Sequence, residues 1–508
     1  MRTKTVPAAL ATLVLILLCG CQPTPDSAVV TSKNDGAFEA ALEATADDPA
    51  ETPEDTPATS QASGTYTDSF TNADGNVAFR VELDVPTGTA NMPVLRVRPE
   101  TITAETAQHV AEVLFGDADI YDYSKKPTKA EIERKILNLR QELADEDVLE
   151  QFYGPIKDYM IEQAERAIAV YEEEYDAAPE TAEKTPCAWE FHSPDWYYDW
   201  ALTDPNDPQI ISDKKTLEIV AASERDGLPY IYTVTNRNEE DYRTHSITCE
   251  IDYWQAQEDG KKDLYYITQK PTEEDVAARR AEAEALLDAM GLSEWVIDSC
   301  VVAQNSYSSA YTVIVRATPV YDGVKVTRQK QMDLRSGDAY AANYYYGEAV
   351  FTFSGSRLES FEVQSPLEIV EVVNDNVAYL SFAEAMEICK KQLRMSLLTS
   401  YPYARSDFMR YADNDPITSA SDEFSQTVRK DVNVIQVELG LVRTRVKDSL
   451  TDFYLLPAYT FRASFVLYDQ DGRVVADNEQ MDPTGSFTKA LLVVNALDGS
   501  IIDTALGY

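Results

Sequence analysis

The second half of the chain repeats one pattern, and that pattern leaves few folds open. Residues 271–291, PTEEDVAARRAEAEALLDAMG, read as a helix capped by Thr272, and strand-like runs follow at 294–304, 310–327 and 348–364. Residues 381–398, SFAEAMEICKKQLRMSLL, open a second copy with Ser381 and Glu384 at capping-box spacing, and runs follow at 432–446, 457–473 and 489–505. The closing hairpins, FTFSGSRLESF and VVNALDGSIID, align on alternating apolar residues around a Gly-Ser turn. A helix followed by three or four antiparallel strands buries one sheet face beneath that helix. The expected class is therefore α+β, with antiparallel sheets, packed helices and tandem helix-on-sheet units at 266–375 and 376–508. Two copies make a firmer fold signal than one.

The region 65–265 reads as an N-terminal mixed α+β domain. TNADGNVAFRVELDV carries an Asp74-Gly75 turn and then alternation at Val77, Phe79, Val81 and Leu83, with VLRVRPE as its expected partner strand. TITAETAQHVAEVLFG reads as a helix with Thr103 as N-cap and Gly116 as stop. Residues 128–176 read as an antiparallel helical pair. Its signals are Thr128 and Glu131 at capping-box spacing, the stripe Ile132, Ile136, Leu139 and Leu143, a second stripe from Ile156 to Tyr171, and Gly154-Pro155 between them. From Trp189 to Gln257 the pattern is mostly strand, with turns at Asp226-Gly227 and Asp259-Gly260. The chain's 30 tyrosines agree with sheet-rich structure.

Ahead of this lies a different kind of sequence. MRTKTVPAALATLVLILLCGC has a positive start and an apolar run from Ala8 to Leu18, the layout of an export signal too short for a permanent span. Its end, Leu18-Cys19-Gly20-Cys21, resembles the bacterial lipobox. A small residue belongs before the cut, so Gly20 selects Cys21 over Cys19 as the lipid-bearing cysteine. The resemblance implies diacylglycerol on the Cys21 thiol and an acylated amine, and each buried methylene contributes about 0.8 kcal/mol to anchoring. Residues 21–64, rich in Pro, Thr, Ala, Ser, Asp and Glu, read as the lipidated cysteine followed by a disordered acidic tether. Within it, TSKNDGAFEAAL (31–42) has apolar positions suited to a short docking helix.

Removing residues 1–20 deletes Arg2 and Lys4 and no acid, taking the formal charge from −43 to −45. Nucleic-acid binding needs a basic footprint, so that class is excluded, as is a polybasic membrane patch. About 440 residues remain for folded structure, enough for two or three domains. Cys187, Cys249, Cys300 and Cys389 match no metal spacing; a Cys187–Cys249 disulfide and buried free thiols both stay open.

Motifs for chemistry are few. His109, His192 and His245 form no i, i+4 pair, so no metal ligand set is expected. Ser212-Asp213-Lys214-Lys215 matches S-x-x-K but lacks the companion motifs of penicillin-binding enzymes. Asp469-Gln470-Asp471-Gly472 has the wrong continuation for a calcium loop, and a hairpin turn accounts for it. The 87 acids make any chosen carboxylate pair uninformative. No catalytic residue and no cofactor is expected.

Two aromatic clusters are the candidate binding residues. WEFHSPDWYYDW (189–200) offers Trp189, Trp196, Tyr197 and Trp200, and AANYYYGEAVF (341–351) offers Tyr344 and Tyr345. Exposed Trp and Tyr stack on sugars or anchor protein contacts. Against that stands the period of two, Trp189 with Phe191 and Trp196 with Tyr198, which suits aromatics lining a sheet face.

The tail LLPAYTFRASFVLYDQDG with LLVVNALDGSIID resembles PepSY-like modules and the extracytoplasmic regulators that restrain membrane sensor kinases. Over nearly the whole mature chain, the lipobox, TSKNDGAFEAAL, VLRVRPETITAETAQHVAEVLFG, SPLEIVEVVNDNVAYLSFAEAM and NALDGSIID resemble an uncharacterised lipoprotein family of Gram-positive anaerobes, domain of unknown function 6034. These resemblances imply a lipid-anchored extracytoplasmic protein at the cell membrane that binds or regulates another envelope protein without catalysis. They assign no site. A glycan- or solute-binding lipoprotein is the alternative, and an extracellular hydrolase stands third.

Overall fold

The computed structural model describes residues 37–44, 64–88, 91–123, 128–144, 157–181, 184–193, 216–238, 243–258, 268–304, 310–328, 347–396, 398, 427–447, 449, 451–477 and 490–503. They form an α+β fold of two mostly antiparallel sheets with helices packed on them.

The first sheet is built on a long antiparallel ribbon, β14 (Arg429–Arg445) and β15 (Phe453–Tyr468). On the outer side of β14, β2 (Val77–Asp84) pairs in parallel with Lys430–Val434 and forms a hairpin with β1 (Thr65–Thr71). On the outer side of β15, β3 (Val94–Pro99) pairs at Phe453–Leu455, β17 (Ala490–Asn495) at Ala458–Arg462 and β16 (Val474–Asp477) at Val466–Tyr468. Pro457 falls where the outer neighbour changes from β3 to β17, one of the few places a central strand tolerates a residue without an N–H. β13 (Leu367–Asn374) pairs with β3 and ends the order β1-β2-β14-β15-β3-β13.

The second sheet runs β10 (Val324–Lys325), β9 (Tyr311–Tyr321), β11 (Glu348–Ser354), β12 (Arg357–Gln364), β7 (Arg243–Ile251), β6 (Leu228–Asn238), β5 (Thr216–Arg225), β4 (Tyr121–Asp122), with β8 (Trp295–Gln304) also on β9. Its hairpins turn at Asp226-Gly227 and Asp322-Gly323, where all four residues have positive φ, as a type I′ turn requires.

Each sheet buries an apolar face under helices. Helices α2 (Ala104–Phe115) and α6 (Glu273–Ala289) cover the second sheet, meeting Tyr230, Tyr232, Phe351, Phe353 and Phe361. Thr103 caps α2 by accepting from the Thr106 N–H at 3.1 Å, and Gly116 ends it at φ 61°. Helix α7 (Phe382–Arg394) covers the first sheet through Phe382, Ala385, Met386, Cys389 and Leu393, spaced along one stripe. Capping boxes open α6 at Thr272/Asp275 and α7 at Ser381/Glu384. α3 (Lys129–Ala144) and α4 (Lys157–Tyr175) form the antiparallel pair, tied by Arg140–Glu172 at 2.5 Å and by Tyr175 to Glu133.

Both repeats have the expected order. After α6, β8, β9, β11 and β12 are successive antiparallel neighbours; after α7, so are β14, β15 and β17. Strand pairing nevertheless crosses the boundaries at 265/266 and 375/376. β7 pairs with β12, joining β4–β7 to the first repeat's sheet, while β1, β2, β3 and β13 complete the second repeat's sheet. The physical reason is that each repeat alone leaves an edge strand open, and the earlier strands close it. Two local expectations are also corrected. VLRVRPE partners β15 and β13 rather than β2. The strand through CEIDYWQA stops at Ile251, because Asp252 accepts from the Gln255 N–H at 3.0 Å and starts helix α5 (Tyr253–Glu258). The short docking helix expected within 31–42 is present as α1 (Ala37–Glu43), held by Phe38 and Leu42 on one face, inside the stretch otherwise read as tether.

Cys187, Cys249, Cys300 and Cys389 are free thiols, so no Cys187–Cys249 disulfide forms. Burial pushes the Cys249 thiol up to about 12, consistent with a small apolar core residue. Asp469 accepts from the N–H groups of Asp471 and Arg473, closing the hairpin turn at Gly472. Among the described residues, no helix is long and apolar enough to cross a membrane.

Candidate functional site

Of the aromatic candidates, Trp189 lies within the described residues; Trp196, Tyr197, Trp200, Tyr344, Tyr345 and the acylation candidate Cys21 lie outside them, as does Ser212. Trp189 is half-buried, with φ 55°, and its ring stands edge-on to Tyr232 at 6.3 Å. Phe191 packs on the same core. Paired backbone hydrogen bonds between His192 and Glu218 dock the segment on β5. These two aromatics line the sheet, as their spacing implied, though Trp189 does so from a left-handed backbone rather than a regular strand.

Charge converges instead at the seam between the sheets. β10 leaves its hairpin and touches β14, where Val326 bridges Leu441 in parallel and the Thr327 N–H donates to the Leu441 carbonyl at 2.9 Å. Around this crossing Asp298 accepts from Lys325 at 2.6 Å and from Arg328 at 3.0 Å, and Lys325 also reaches Glu438 at 2.5 Å. Arg462 donates to the Arg328 carbonyl at 2.6 Å and lies 3.9 Å from Glu438. Arg316 and Arg328 share Glu348. Burial opposes the charge of Asp298, but Lys325 and Arg328 outweigh it and hold its carboxyl below the ordinary range. Burial likewise opposes the charge of Lys325, and Glu438 with Asp298 outweighs it in the other direction, holding the amine above its usual value. Both groups are pushed deeper into their charged forms, away from the near-neutral pKa that proton transfer needs. The seam is a lock between the sheets.

A third feature lies at the open end of the first sheet. β13 has β3 on one side and, among the described residues, no strand on the other. Ile369, Val370 and Val372 are 46%, 40% and 53% exposed. The pairing with β3 shifts register between Ile369 and Glu371 and again between Val372 and Asn374. Glu368 lies 3.6 Å from Arg98, and Glu371 lies 3.9 Å from Arg96, whose guanidinium is held at 2.5 Å by Asp452. Burial, then the charge of Glu368, raises the pKa of the nearby Glu100 carboxyl. This is an apolar edge whose two acids, Glu368 and Glu371, lie beside Arg98 and Arg96. The sequence signal was there in LEIVEVVN, where two acids interrupt apolar pairs and break the period of two.

The fold and these features define the class: an α+β protein with two mostly antiparallel sheets locked at a charged seam, one sheet ending in an apolar, acidic edge. No family model matches the chain, and no curated protein does. Among solved structures it is similar to an uncharacterized protein from Eubacterium rectale ATCC 33656, at 9% identity and a TM-score of 0.32, over 85% of this chain and 92% of that one. That likeness is too slight to bear on fold or function.

Proposed function

We propose that the chain is a lipid-anchored extracytoplasmic protein, held at the membrane through Cys21, that binds or regulates another cell-envelope protein through the edge of β13. The reading takes its anchor from the lipobox resemblance and its regulatory character from the resemblance to lipoprotein and PepSY-like families. The observation that supports it is the exposure of three β-branched side chains on an edge strand. Soluble proteins blunt such edges, since an open edge templates pairing with another chain. Glu368, Glu371 and the two register shifts act against pairing between copies of a chain with formal charge −43. The same acids favour an extended segment that alternates apolar and basic residues, adding its main chain to β13.

The test is a photo-crosslinking side chain in place of Val370, in cells, with Cys21 intact, and a second chain carrying it in place of Leu137 on α3. The expected outcome is one envelope protein joined from position 370 and not from 137, through a segment of the stated chemistry. Equal background from both positions would remove β13 as the contact.

A further inference from the structure

We infer that the outer edge of β8 joins a second copy of this chain, β8 against β8 about a two-fold axis, so that the second sheet runs on through two molecules. Strands that end a sheet usually carry a device against pairing. β1 has Asp68 at its centre, β4 has only two residues, and β13 has Glu368, Glu371 and two register shifts. β8 differs. It runs for ten residues, and among the described residues no strand lies on its outer side. None of the ten is buried, and Val296 is 41% exposed. The one charged side chain in β8 is Asp298, the extra residue at a register shift against β9. Its carboxyl is committed to the seam by Lys325 at 2.6 Å and Arg328 at 3.0 Å. The edge therefore presents no free charge.

The occupant follows from the charges on α6. This helix lies over β8 and β9: the Cys300 thiol donates to the Val276 carbonyl at 3.8 Å, and Ala283 and Leu287 share a core with Val313 and Val315. Its inner rim faces the middle of the sheet, where Arg279 donates to the Ser356 carbonyl at 2.7 Å and Glu282 accepts from Arg225 at 3.3 Å. Arg280 and Glu284 lie on the opposite rim, 3.1 Å apart and each 53% exposed. Burial raises the pKa of the Cys300 thiol and the nearby Arg280 guanidinium opposes it, in keeping with Arg280 standing over β8. Paired strands lie about 4.8 Å apart, so a two-fold at β8 sets the two α6 axes about 10 Å apart, an ordinary helix-packing distance. The helices then run antiparallel. With the axis between positions 280 and 284, Arg280 of each copy faces Glu284 of the other, and the exposed Ala277 beside them admits close approach. The rim is complementary to itself. The formal charge of −43 opposes association, but exposed charges further apart than about 8 Å are largely screened at physiological salt.

The test is sedimentation equilibrium of the full chain over a concentration series, with Cys21→Ser throughout to keep lipid out of the measurement. The expected result is a monomer–dimer equilibrium. Val296→Lys puts an ammonium on the edge and is expected to abolish the dimer, while Val370→Lys on β13 leaves it unchanged. Arg280→Glu and Glu284→Arg each set like charges face to face, and each is expected to weaken the dimer roughly tenfold. The double variant makes the rim complementary to itself again and is expected to restore the starting affinity. All four substituted side chains are exposed, so the fold tolerates the changes. A monomer at every concentration overturns the proposal. So does a dimer that Val296→Lys spares, or a double variant that associates no better than the single ones.

Discussion

The two sheets are both covered by helices, yet they hide their residues differently. In the second sheet burial alternates: β6 buries every other residue from Leu228 to Asn236, and the buried set meets α2 and α6. In the first sheet β15 is buried without interruption from Leu455 to Phe465. Tyr459, Phe461, Ala463 and Phe465 face α7, while Thr460, Arg462 and Ser464 are buried on the opposite side. There Arg462 reaches Glu438 and the Arg328 carbonyl. The alternate positions of β6 are therefore left partly exposed, whereas those of β15 lie in a buried ionic seam to which β8, β9, β10 and β11 of the second sheet also contribute.

The largest test of this difference lies in the one-faced sheet. Phe361 is 1% exposed and its ring lies 4.7 Å from that of Phe351. Phe361→Ala leaves a cavity in this aromatic core, and the expected cost is about 4 kcal/mol, read as a shift in the denaturant midpoint. A cost under about 1 kcal/mol would mean that α2 and α6 collapse onto the sheet and that its packing is looser than described.

The same contrast explains what the sequence made legible. Helix starts at Thr103, Thr128, Thr272 and Ser381, the Asp-Gly turns at 226/227 and 322/323, and the alternating strands of the second sheet are local features, and local chemistry determines them. Which strands become neighbours is not local. VLRVRPE carries no mark directing it to β15 some 350 residues later instead of β2. The seam was invisible for a related reason: Lys325, Glu438 and Arg462 each read as one exposed charge in an apolar run, and only the fold brings them together. The edge of β13 is legible only in part: LEIVEVVN breaks the period of two, but the exposure of Ile369 and Val372 depends on which distant strands lie beside them. Of the aromatic candidates, only the packing of Trp189 against Tyr232 bears on the question that WEFHSPDWYYDW raises.

The first sheet also buries a lysine on its apolar side. Lys430 lies in line with Val432 and Val434, its ammonium 5.2 Å from the Phe465 ring centre, and burial pushes its pKa down to about 8 from 10.5. Below pH 8 the amine is protonated in both folded and unfolded chains, so the folded state carries the full cost of burying the charge. Between about 8 and 10.5 the unfolded chain holds the proton more strongly, and wild-type stability climbs with pH. Lys430→Met is expected to stabilise the protein by about 3 kcal/mol at pH 7, an advantage that shrinks through this window and is gone above it. Thermal melts at pH 7, 9 and 10.5 read this directly. A gap that widens with pH would show that the ammonium is stabilised where it lies.

Gly440 tests the join between the two kinds of sheet. A Cβ built there would stand 2.3 Å from Thr327 Oγ1 and 2.8 Å from the Lys325 carbonyl oxygen. The hydroxyl can rotate away, but the carbonyl belongs to β10 and moves only if the crossing opens. Opening it pulls Lys325 from Glu438 on β14 and strains the Thr327 to Leu441 hydrogen bond. Gly440→Ala is expected to cost about 2 kcal/mol, less than the Phe361 cavity because the seam yields by a fraction of an ångström instead of losing contacts outright. The decisive observation is where the cost appears. If faster amide exchange is confined to Thr327 and its neighbours on β10 and β14, the seam is a local lock on two independently stable sheets. If β6 and β15 accelerate together, the seam couples them, and the buried charges on the second face of β15 are what make the two sheets unfold as one.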